Sequence, residues 1–222
     1  MQEKRSKNIK AVIFDLDGTL IDSFHAIMEG FNSTLPHYGL SKLNITETKA
    51  LVGLSLEETF SNLLGKEHAV EATSIFRKRY KDVYLEKTSP MPHADNTIEA
   101  LSKGGYKMGI ATNKHGGFSR NIIDHLGWGE SMLTVVGDGD IPCCKPSPDM
   151  IEKNLRDMSV SRDEAIFVGD SPVDMETGRN AGVFTVAVPT GHHSGKDLKE
   201  AGAMALISDL SGLGAIIEQY GR

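Results

Sequence analysis

This chain of 222 residues has little of what several classes of protein require. It has two cysteines, Cys143 and Cys144, and because they are adjacent they cannot join distant parts of the chain through a disulfide. No second cysteine pair or spaced histidine pair completes a zinc-binding pattern around them. No apolar run approaches the length of a membrane span, and residues Met1 to Asn8 lack the apolar core of a signal peptide. We therefore expect a cytoplasmic protein with free thiols.

An excess of positive charge is also missing. The formal net charge is -6, and the isoelectric point is about 5.7. A nucleic-acid or anionic-membrane surface is therefore disfavoured. If the substrate is itself an anion, positive charge must come locally from a lysine, a metal ion or the N-terminus of a helix. The length suits one domain with an insertion, or one large and one small domain.

The apolar pattern divides the chain into two kinds of segment. A buried strand is predicted over residues 11–14, and from Asp22 to about Ser89 the apolar residues recur at helical spacing. From Pro90 onward strands and helices alternate, which is typical of a parallel sheet covered on both faces. We predict an α/β fold with a Rossmann-like, three-layer core formed by residues 1–21 and 90–222. Residues 22–89 are predicted to form an inserted all-α cap domain.

Polar residues that can carry out chemistry follow successive predicted strands. They are Asp15 and Asp17 after the first strand, Thr112 and Asn113 after the second, Lys145 after the third, and Asp170 and Asp174 after the fourth. Parallel strands present their carboxyl ends at one edge of the sheet, where ligands bind. The first pair alone is equally compatible with a solvated turn. The recurrence of polar residues at the ends of successive strands favours a shared site.

These residue types match the needs of phosphoryl transfer. That reaction requires a nucleophile, groups that neutralise the phosphoryl oxygens, and a proton donor and acceptor. A carboxylate can attack phosphorus and form an aspartyl-phosphate, while the Thr112 hydroxyl and the Lys145 ammonium can hold the oxygens. Clustered carboxylates repel one another unless a cation offsets them, and Mg²⁺ accepts carboxylate ligands alongside a substrate phosphate. The residues therefore predict a Mg²⁺-assisted phosphoryl-transfer site.

Four segments of the chain, in order, resemble the motifs of the haloacid dehalogenase-like hydrolases. They are Asp15-Leu16-Asp17-Gly18-Thr19, Thr112-Asn113, Lys145-Pro146 and Gly169-Asp170-Ser171-Pro172-Val173-Asp174. The resemblance covers essentially the whole chain. The predicted helical insertion resembles the small cap of the phosphoglycolate phosphatase-like subgroup. The segments Asp22-Ser23 and Ala111-Thr112-Asn113-Lys114 are also similar to that subgroup.

The resemblance implies distinct roles for the two carboxylates of the first motif. Asp15 would be the nucleophile and a Mg²⁺ ligand. Asp17 would be the general acid and base, and its backbone carbonyl would also bind the metal. The dehalogenase branch of the family does not use this second carboxylate, so Asp17 argues against dehalogenation.

The other motifs receive binding and supporting roles from the same resemblance. Thr112 and Lys145 would bind the phosphoryl group, with Asn113 assisting through its side chain or its backbone. Asp170 would be the remaining carboxylate on Mg²⁺. Asp174 would either act through water or orient Lys145, and spacing alone does not decide between these.

The expected function is hydrolysis of a small phosphorylated metabolite, with phosphoglycolate as the leading substrate by family analogy. The cap is expected to close over the substrate and exclude water. The alternatives are a β-phosphoglucomutase-like phosphomutase, an inorganic pyrophosphatase of the same family, and a signalling module that accepts a phosphoryl group on Asp15. Asp17 and the cap argue against the signalling module, which needs neither. No nucleic-acid or membrane partner is expected, and monomer and homodimer are equally compatible with the sequence.

Five further residues have a functional and a structural interpretation. The histidines His115, His192 and His193 lie near predicted strand ends, but loop histidines are common at surfaces. Asp138 and Asp140 could add to an acidic cluster, although turn residues that position the Lys145 loop are the preferred interpretation.

Two features of the predicted cap bear on the choice of substrate. The basic run Arg77-Lys78-Arg79 could bind a substrate carboxylate, yet a solvated helix face is the default interpretation. Gly53 marks a predicted loop that could face the active site.

Overall fold

The computed structural model describes residues 8–220. Six strands of this part of the chain form a parallel sheet with the order β5-β4-β1-β6-β7-β8, and two others form a short antiparallel ribbon. The strands are β1 (Ala11–Phe14), β2 (Ile21–Asp22), β3 (Ser89–Pro90), β4 (Lys107–His115), β5 (Met132–Asp138), β6 (Ala165–Gly169), β7 (Phe184–Ala187) and β8 (Ala205–Leu206).

Helices cover the sheet and fill the insertion. They are α1 (Phe24–Thr34), α2 (Ile45–Leu51), α3 (Leu56–Leu64), α4 (Lys66–Val83), α5 (Ala94–Lys103), α6 (Gly116–His125), α7 (Asp149–Met158), α8 (Pro172–Ala181), α9 (Gly195–Glu200) and α10 (Leu213–Tyr220). Short 3-10 helices span Leu35–Tyr38, Arg162–Glu164 and Leu210–Gly212.

Strand β1 lies at the centre of the sheet because it is apolar on both faces. Val12 and Phe14 belong to one hydrophobic core, and Ala11 and Ile13 belong to another on the opposite face. A continuous apolar run of this kind is typical of a parallel strand covered on both sides. The predicted three-layer α/β core is confirmed.

Helices α1 to α4 lie between β2 and β3, which pair with each other. The rings of Phe31, Phe60 and Phe76 meet edge to face, with centroids 5.1 to 6.1 Å apart, and form the centre of this helical segment. The predicted boundaries of the cap domain, at residues 22 and 89, fall on the two-stranded ribbon. Sequence reasoning did not find that ribbon, since each of its strands has only two residues.

Two elements of the core differ from the sequence prediction. Strand β4 continues past Thr112 to His115. Its register with β5 shifts after Ala111, and the pairing of His115 with Asp138 extends the strand. Helix α9 was not predicted, although Ser194 and Asp197 form a capping box at its start. A serine three residues before an acidic residue is the signal that could have revealed it.

The helices and the two cysteines agree with the sequence on membrane spans and disulfides. Within residues 8–220, no helix combines the length and apolar character needed to cross a bilayer. Cys143 is exposed, Cys144 is half-buried, and both thiols are free.

Gly30 allows α1 to approach α4 closely. A Cβ at Gly30 would lie 2.5 Å from Cε2 of Phe76. We expect Gly30→Ala to lower the free energy of unfolding by about 1–3 kcal/mol through overpacking, as measured by urea denaturation. Gly214→Ala is the matched control, because a Cβ there meets no heavy atom within 4 Å. A Gly30→Ala protein as stable as wild type would contradict this account of the packing.

Candidate active site

The ammonium of Lys145 lies between two buried carboxylates. Asp15 directly follows β1, Lys145 lies in the loop after β5, and Asp174 lies in the first turn of α8. Lys145 Nζ donates to Asp15 Oδ1 at 2.6 Å and to Asp174 Oδ1 at 2.7 Å. The structure therefore brings together residues that are 29 and 130 positions apart in the chain.

Asp170 completes a carboxylate cluster beside this lysine. Ligand oxygens of Asp15, Asp170 and Asp174 all lie within 4.8 Å of one another. Asp170 Oδ1 accepts a hydrogen bond from Thr19 Oγ1 at 2.9 Å. A Cβ at Gly191 would lie 1.8 Å from Asp170 Oδ2, so the loop after β7 can approach the carboxylate only because it has glycine there.

The electrostatics of this cluster favour an additional cation. Burial raises the pKa of Asp15 to about 7, although Lys145 opposes the change. Burial, together with the charges of Asp15 and Asp174, raises the pKa of Asp170 well above its ordinary value. The charges of Asp15 and Asp174 outweigh the effect of burial on Lys145 and raise its pKa. Buried carboxylate oxygens with incompletely neutralised charge are the ligands that Mg²⁺ prefers, so these residues fit the ion.

Asp174 is held in place at both of its oxygens. While Oδ1 accepts from Lys145, Oδ2 accepts from the backbone N–H of Ser171 at 3.0 Å and from its hydroxyl at 2.6 Å. The bond from Ser171 N and the reciprocal bond from Asp174 N to Ser171 Oγ, at 3.3 Å, form the capping box of α8. Of the two predicted roles of Asp174, the geometry favours orientation of Lys145.

The side chain of Asp17 lies outside the carboxylate cluster. Its Oδ2 accepts from Lys114 Nζ at 2.8 Å, and its Oδ1 accepts from the hydroxyl of Ser23. The Lys114 side chain is only 7% exposed, and its ammonium lies 4.9 Å from the ring centroid of Tyr80. Asp17 and Asp15 therefore have different ionic partners, Lys114 and Lys145. The predicted use of its backbone carbonyl as a metal ligand stays a prediction.

Lys114 is a site residue to which sequence reasoning gave no role. It lies in the segment Ala111-Thr112-Asn113-Lys114, which resembles the phosphoglycolate phosphatase-like subgroup. Its position in a strand does not reveal that it pairs with a residue 97 positions away in the chain. The attraction of Asp17 outweighs the effect of burial and raises the pKa of Lys114, so the ammonium stays charged. Lys114 is therefore the ionic partner of the residue predicted to act as general acid and base.

Asn113 and Thr112 take different positions beside Lys145. The amide oxygen of Asn113 accepts from Lys145 N at 2.8 Å, and its Nδ2 donates to Lys145 O at 3.1 Å and to Gly53 O at 2.8 Å. The side-chain amide thus joins the lysine loop to the cap and is not directed to a phosphoryl group. Assistance through the Asn113 backbone stays a prediction. Thr112 is buried and lines the same cavity as Asp15, as its predicted role requires.

An open cavity extends from Asp15 and Lys145 into the cap. Gly53 lines it, so the predicted cap loop does face the site. Most of the cap wall is apolar, with Ile27, Phe31, Leu51, Val52, Leu54, Leu56 and Phe76 among its residues. Such a wall offers few hydrogen-bonding partners to water above the carboxylates.

The three residues of the basic run in the cap have different surroundings. Arg77 lines the cavity, and its Nη2 donates to Asp138 Oδ2 at 2.9 Å. Lys78 is exposed, and Arg79 forms an ion pair with Glu29. Of the three residues, Arg77 is the one placed to meet a ligand in this cavity.

The remaining acidic and thiol residues have mainly structural partners. Asp138 accepts from Arg77 and lies 3.5 Å from Cys144 Sγ. Asp140 accepts from Arg120 at 2.7 Å and from the backbone of Gly137 at 3.0 Å, as a turn residue does. Burial raises the pKa of Cys144 to about 12, which disfavours a metal-binding thiolate.

Of the candidate histidines, His115 lies at the cavity and the other two do not line it. His115 Nδ1 accepts from the backbone N–H of Gly117, and burial lowers the pKa of the imidazole. The rings of His192 and His193 contact each other in the loop before α9.

Comparisons with known proteins agree with this geometry. The model of the haloacid dehalogenase-like hydrolase family matches residues 12–188. The phosphoglycolate phosphatase of Rhodospirillum rubrum is 33% identical over 92% of this chain and 89% of its own length. The pyrophosphatase PpaX of Bacillus velezensis is 32% identical over 82% of this chain and 84% of its own.

A solved structure extends the comparison to three dimensions. A haloacid dehalogenase-like family hydrolase from Streptococcus pneumoniae superposes with a TM-score of 0.85 at 26% identity, covering 94% of this chain and 98% of that one. The matched region contains all four sequence motifs, from Asp15 to Asp174. The chain therefore belongs to the haloacid dehalogenase-like hydrolase family.

Proposed function

We propose that this protein is a Mg²⁺-dependent phosphatase that hydrolyses a small phosphomonoester, foremost phosphoglycolate, through an aspartyl-phosphate on Asp15. The observation that carries the proposal is the Lys145 ammonium held between Asp15 and Asp174, beside Asp170, at the base of a cavity covered by the cap. The relatives named phosphoglycolate phosphatase support this choice of substrate.

The first half of the reaction transfers the phosphoryl group to the protein. The Asp15 carboxylate attacks phosphorus, the bond from phosphorus to the ester oxygen breaks, and Asp17 donates a proton to the departing oxygen. The Lys145 ammonium and the Thr112 hydroxyl bind the phosphoryl oxygens. Asp15, Asp170 and the Asp17 backbone carbonyl would hold Mg²⁺, which would supply positive charge to the phosphoryl oxygens.

The second half releases phosphate. Asp17, now a carboxylate, accepts a proton from a water molecule as the water oxygen attacks phosphorus. The bond between phosphorus and Asp15 breaks, and the original carboxylate is restored. Lys114 and Ser23 hold the Asp17 side chain through both halves, since they contact its two oxygens.

A phosphate-release assay tests the proposal. We expect free phosphate from 2-phosphoglycolate in the presence of Mg²⁺, loss of turnover with EDTA, and recovery when Mg²⁺ is added back. The panel includes p-nitrophenyl phosphate, glucose 1-phosphate and pyrophosphate. Activity indifferent to chelation would remove the metal from the mechanism, and glucose 6-phosphate as the product would indicate a mutase.

A thermal-shift measurement tests the metal independently of turnover. An ion that binds only the folded state adds about 2.7 kcal/mol of stability at a hundred times its Kd. We expect Mg²⁺ to raise the Tm of the wild type and to have little effect on Asp170→Asn. Asp157→Asn, which alters an exposed pair with Lys153, is the matched control and should respond like wild type. An equal response from Asp170→Asn would contradict the assignment of Asp170.

Inorganic pyrophosphatase is the second candidate, because a relative named pyrophosphatase PpaX is 32% identical over most of this chain. The same mechanism would cleave pyrophosphate at Asp15, with phosphate as the leaving group. The ratio of kcat/KM for pyrophosphate to that for 2-phosphoglycolate distinguishes the two. A ratio above one would favour the pyrophosphatase.

A further inference from the structure

Arg77 places a charge in the otherwise mainly apolar cap wall of the cavity. Among the described cap residues that line it, the polar members are Thr59, Tyr80 and Arg77, and of these Arg77 is the cation. Helix α4 supplies both Arg77 and Phe76, and both residues line the cavity. The Arg77 side chain is 36% exposed, so it can meet a ligand that enters the cavity from solvent.

The guanidinium of Arg77 retains hydrogen-bonding capacity. Its Nη2 donates to Asp138, while its Nε is buried and has no partner among residues 8–220. The two lysines that line the cavity have partners among the proposed catalytic residues. Lys145 contacts Asp15 and Asp174, and Lys114 contacts Asp17. Arg77 is thus the lining cation that is bound to no residue of the proposed reaction.

We propose that Arg77 binds a carboxylate of the substrate and so selects phosphoesters that carry one. This inference rests on the proposed phosphatase function and specifies the non-reacting part of its substrate. The planar guanidinium can donate two parallel hydrogen bonds to a carboxylate. Asp138 already places one negative charge beside Arg77, which favours a singly charged carboxylate over a doubly charged second phosphate. The substrate class is therefore a short phosphomonoester with a carboxylate.

The test compares two substrates that differ only in this charge. In 2-hydroxyethyl phosphate a neutral CH₂OH group replaces the carboxylate of 2-phosphoglycolate. For Arg77→Met, we expect KM for 2-phosphoglycolate to rise about tenfold or more, the usual effect of losing a hydrogen bond to a charged group. KM for 2-hydroxyethyl phosphate and kcat for both should change little.

Three further variants separate carboxylate binding from other roles of Arg77. Arg79→Met removes an arginine from the same helix but outside the cavity lining, and it should leave both KM values unchanged. Asp138→Asn breaks the ion pair and keeps the guanidinium, so it should preserve the preference for the carboxylate. Arg77→Lys keeps the charge without the planar fork, and it should retain only part of that preference.

Binding measurements keep the test independent of turnover. Calorimetry on Asp15→Asn, with and without Arg77→Met, should show that 2-phosphoglycolate loses affinity while 2-hydroxyethyl phosphate does not. Equal effects of Arg77→Met on both ligands would overturn the inference and make Arg77 a link between cap and core. An Arg77-dependent preference for pyrophosphate would overturn it in favour of a second phosphate. Failure of the wild type to release phosphate from any ester, with selective binding intact, would reject the phosphatase and keep the inference.

Discussion

Asp15→Asn is expected to lower phosphate release from 2-phosphoglycolate by about 10⁴-fold or more, because the amide cannot serve as the nucleophile. Asparagine has nearly the same shape as aspartate, and its carbonyl oxygen can still accept the hydrogen bond that Lys145 Nζ now donates to Asp15. The variant also removes a carboxylate whose charged form is disfavoured by burial, since burial raises the pKa of Asp15 to about 7. The fold should therefore persist without the activity.

The measurement combines single-turnover phosphate release with circular dichroism and thermal unfolding. Asp157→Asn makes the same chemical change in an exposed ion pair and should keep wild-type rates. Turnover by Asp15→Asn near that of the wild type would eliminate Asp15 as the nucleophile. A loss of activity together with unfolding would fail to support the assignment, and trapping of a phosphorylated Asp15 in the wild type would then decide it.

Lys145→Met is expected to reduce both stability and catalysis. In the metal-free protein it leaves Asp15, Asp170 and Asp174 buried without the ammonium, and breaking a buried pair costs about 3–5 kcal/mol. Saturating Mg²⁺ should restore part of this loss, because the ion supplies positive charge to the same carboxylates. Phosphate release should fall by about 10²–10³-fold, as is typical when one group that stabilises the transition-state charge is removed.

Urea denaturation with and without Mg²⁺ checks the stability change. Lys153→Met is the matched control, because Lys153 forms an exposed pair with Asp157, and such a pair contributes about 0–1 kcal/mol. Adding Asp174→Asn to Lys145→Met should recover stability by removing one of the uncompensated charges. If Lys145→Met were as stable as Lys153→Met, the electrostatic account of the cluster would be wrong.

Much of the fold follows from patterns that are local in the sequence. The run of residues 11–14 is apolar at every position, which is typical of a strand covered on both faces. The alternation of elements from Pro90 onward specifies a parallel sheet, whose carboxyl edge collects Asp15, Lys145, Asp170 and Asp174. That prediction succeeds because the geometry of a parallel sheet is general and does not depend on side-chain detail.

The directions in which side chains point at this edge do not follow from those patterns. Asn113 was expected to assist in phosphate binding through its side chain or its backbone. Its side-chain amide bonds to the backbone of Lys145 and of Gly53, and the backbone alternative stays a prediction. Asp17 lies two residues from Asp15 but faces Lys114. Such choices depend on partners 32 to 97 residues away, and sequence spacing contains no information on which of them will be in reach.

In the cap, too, side-chain direction does not follow from the sequence. Arg77, Lys78 and Arg79 are indistinguishable as a basic run, but the rotation of α4 directs only Arg77 of the three to the cavity. The packing of Phe76 against Phe31 and Phe60 sets that rotation. The sequence by itself therefore determined the α/β core, the helical insertion and the set of residues available for phosphoryl chemistry, because periodicity and strand ends are local. Only the tertiary structure decided the ionic partners and which residue of the basic run lines the cavity, because those depend on how distant segments pack.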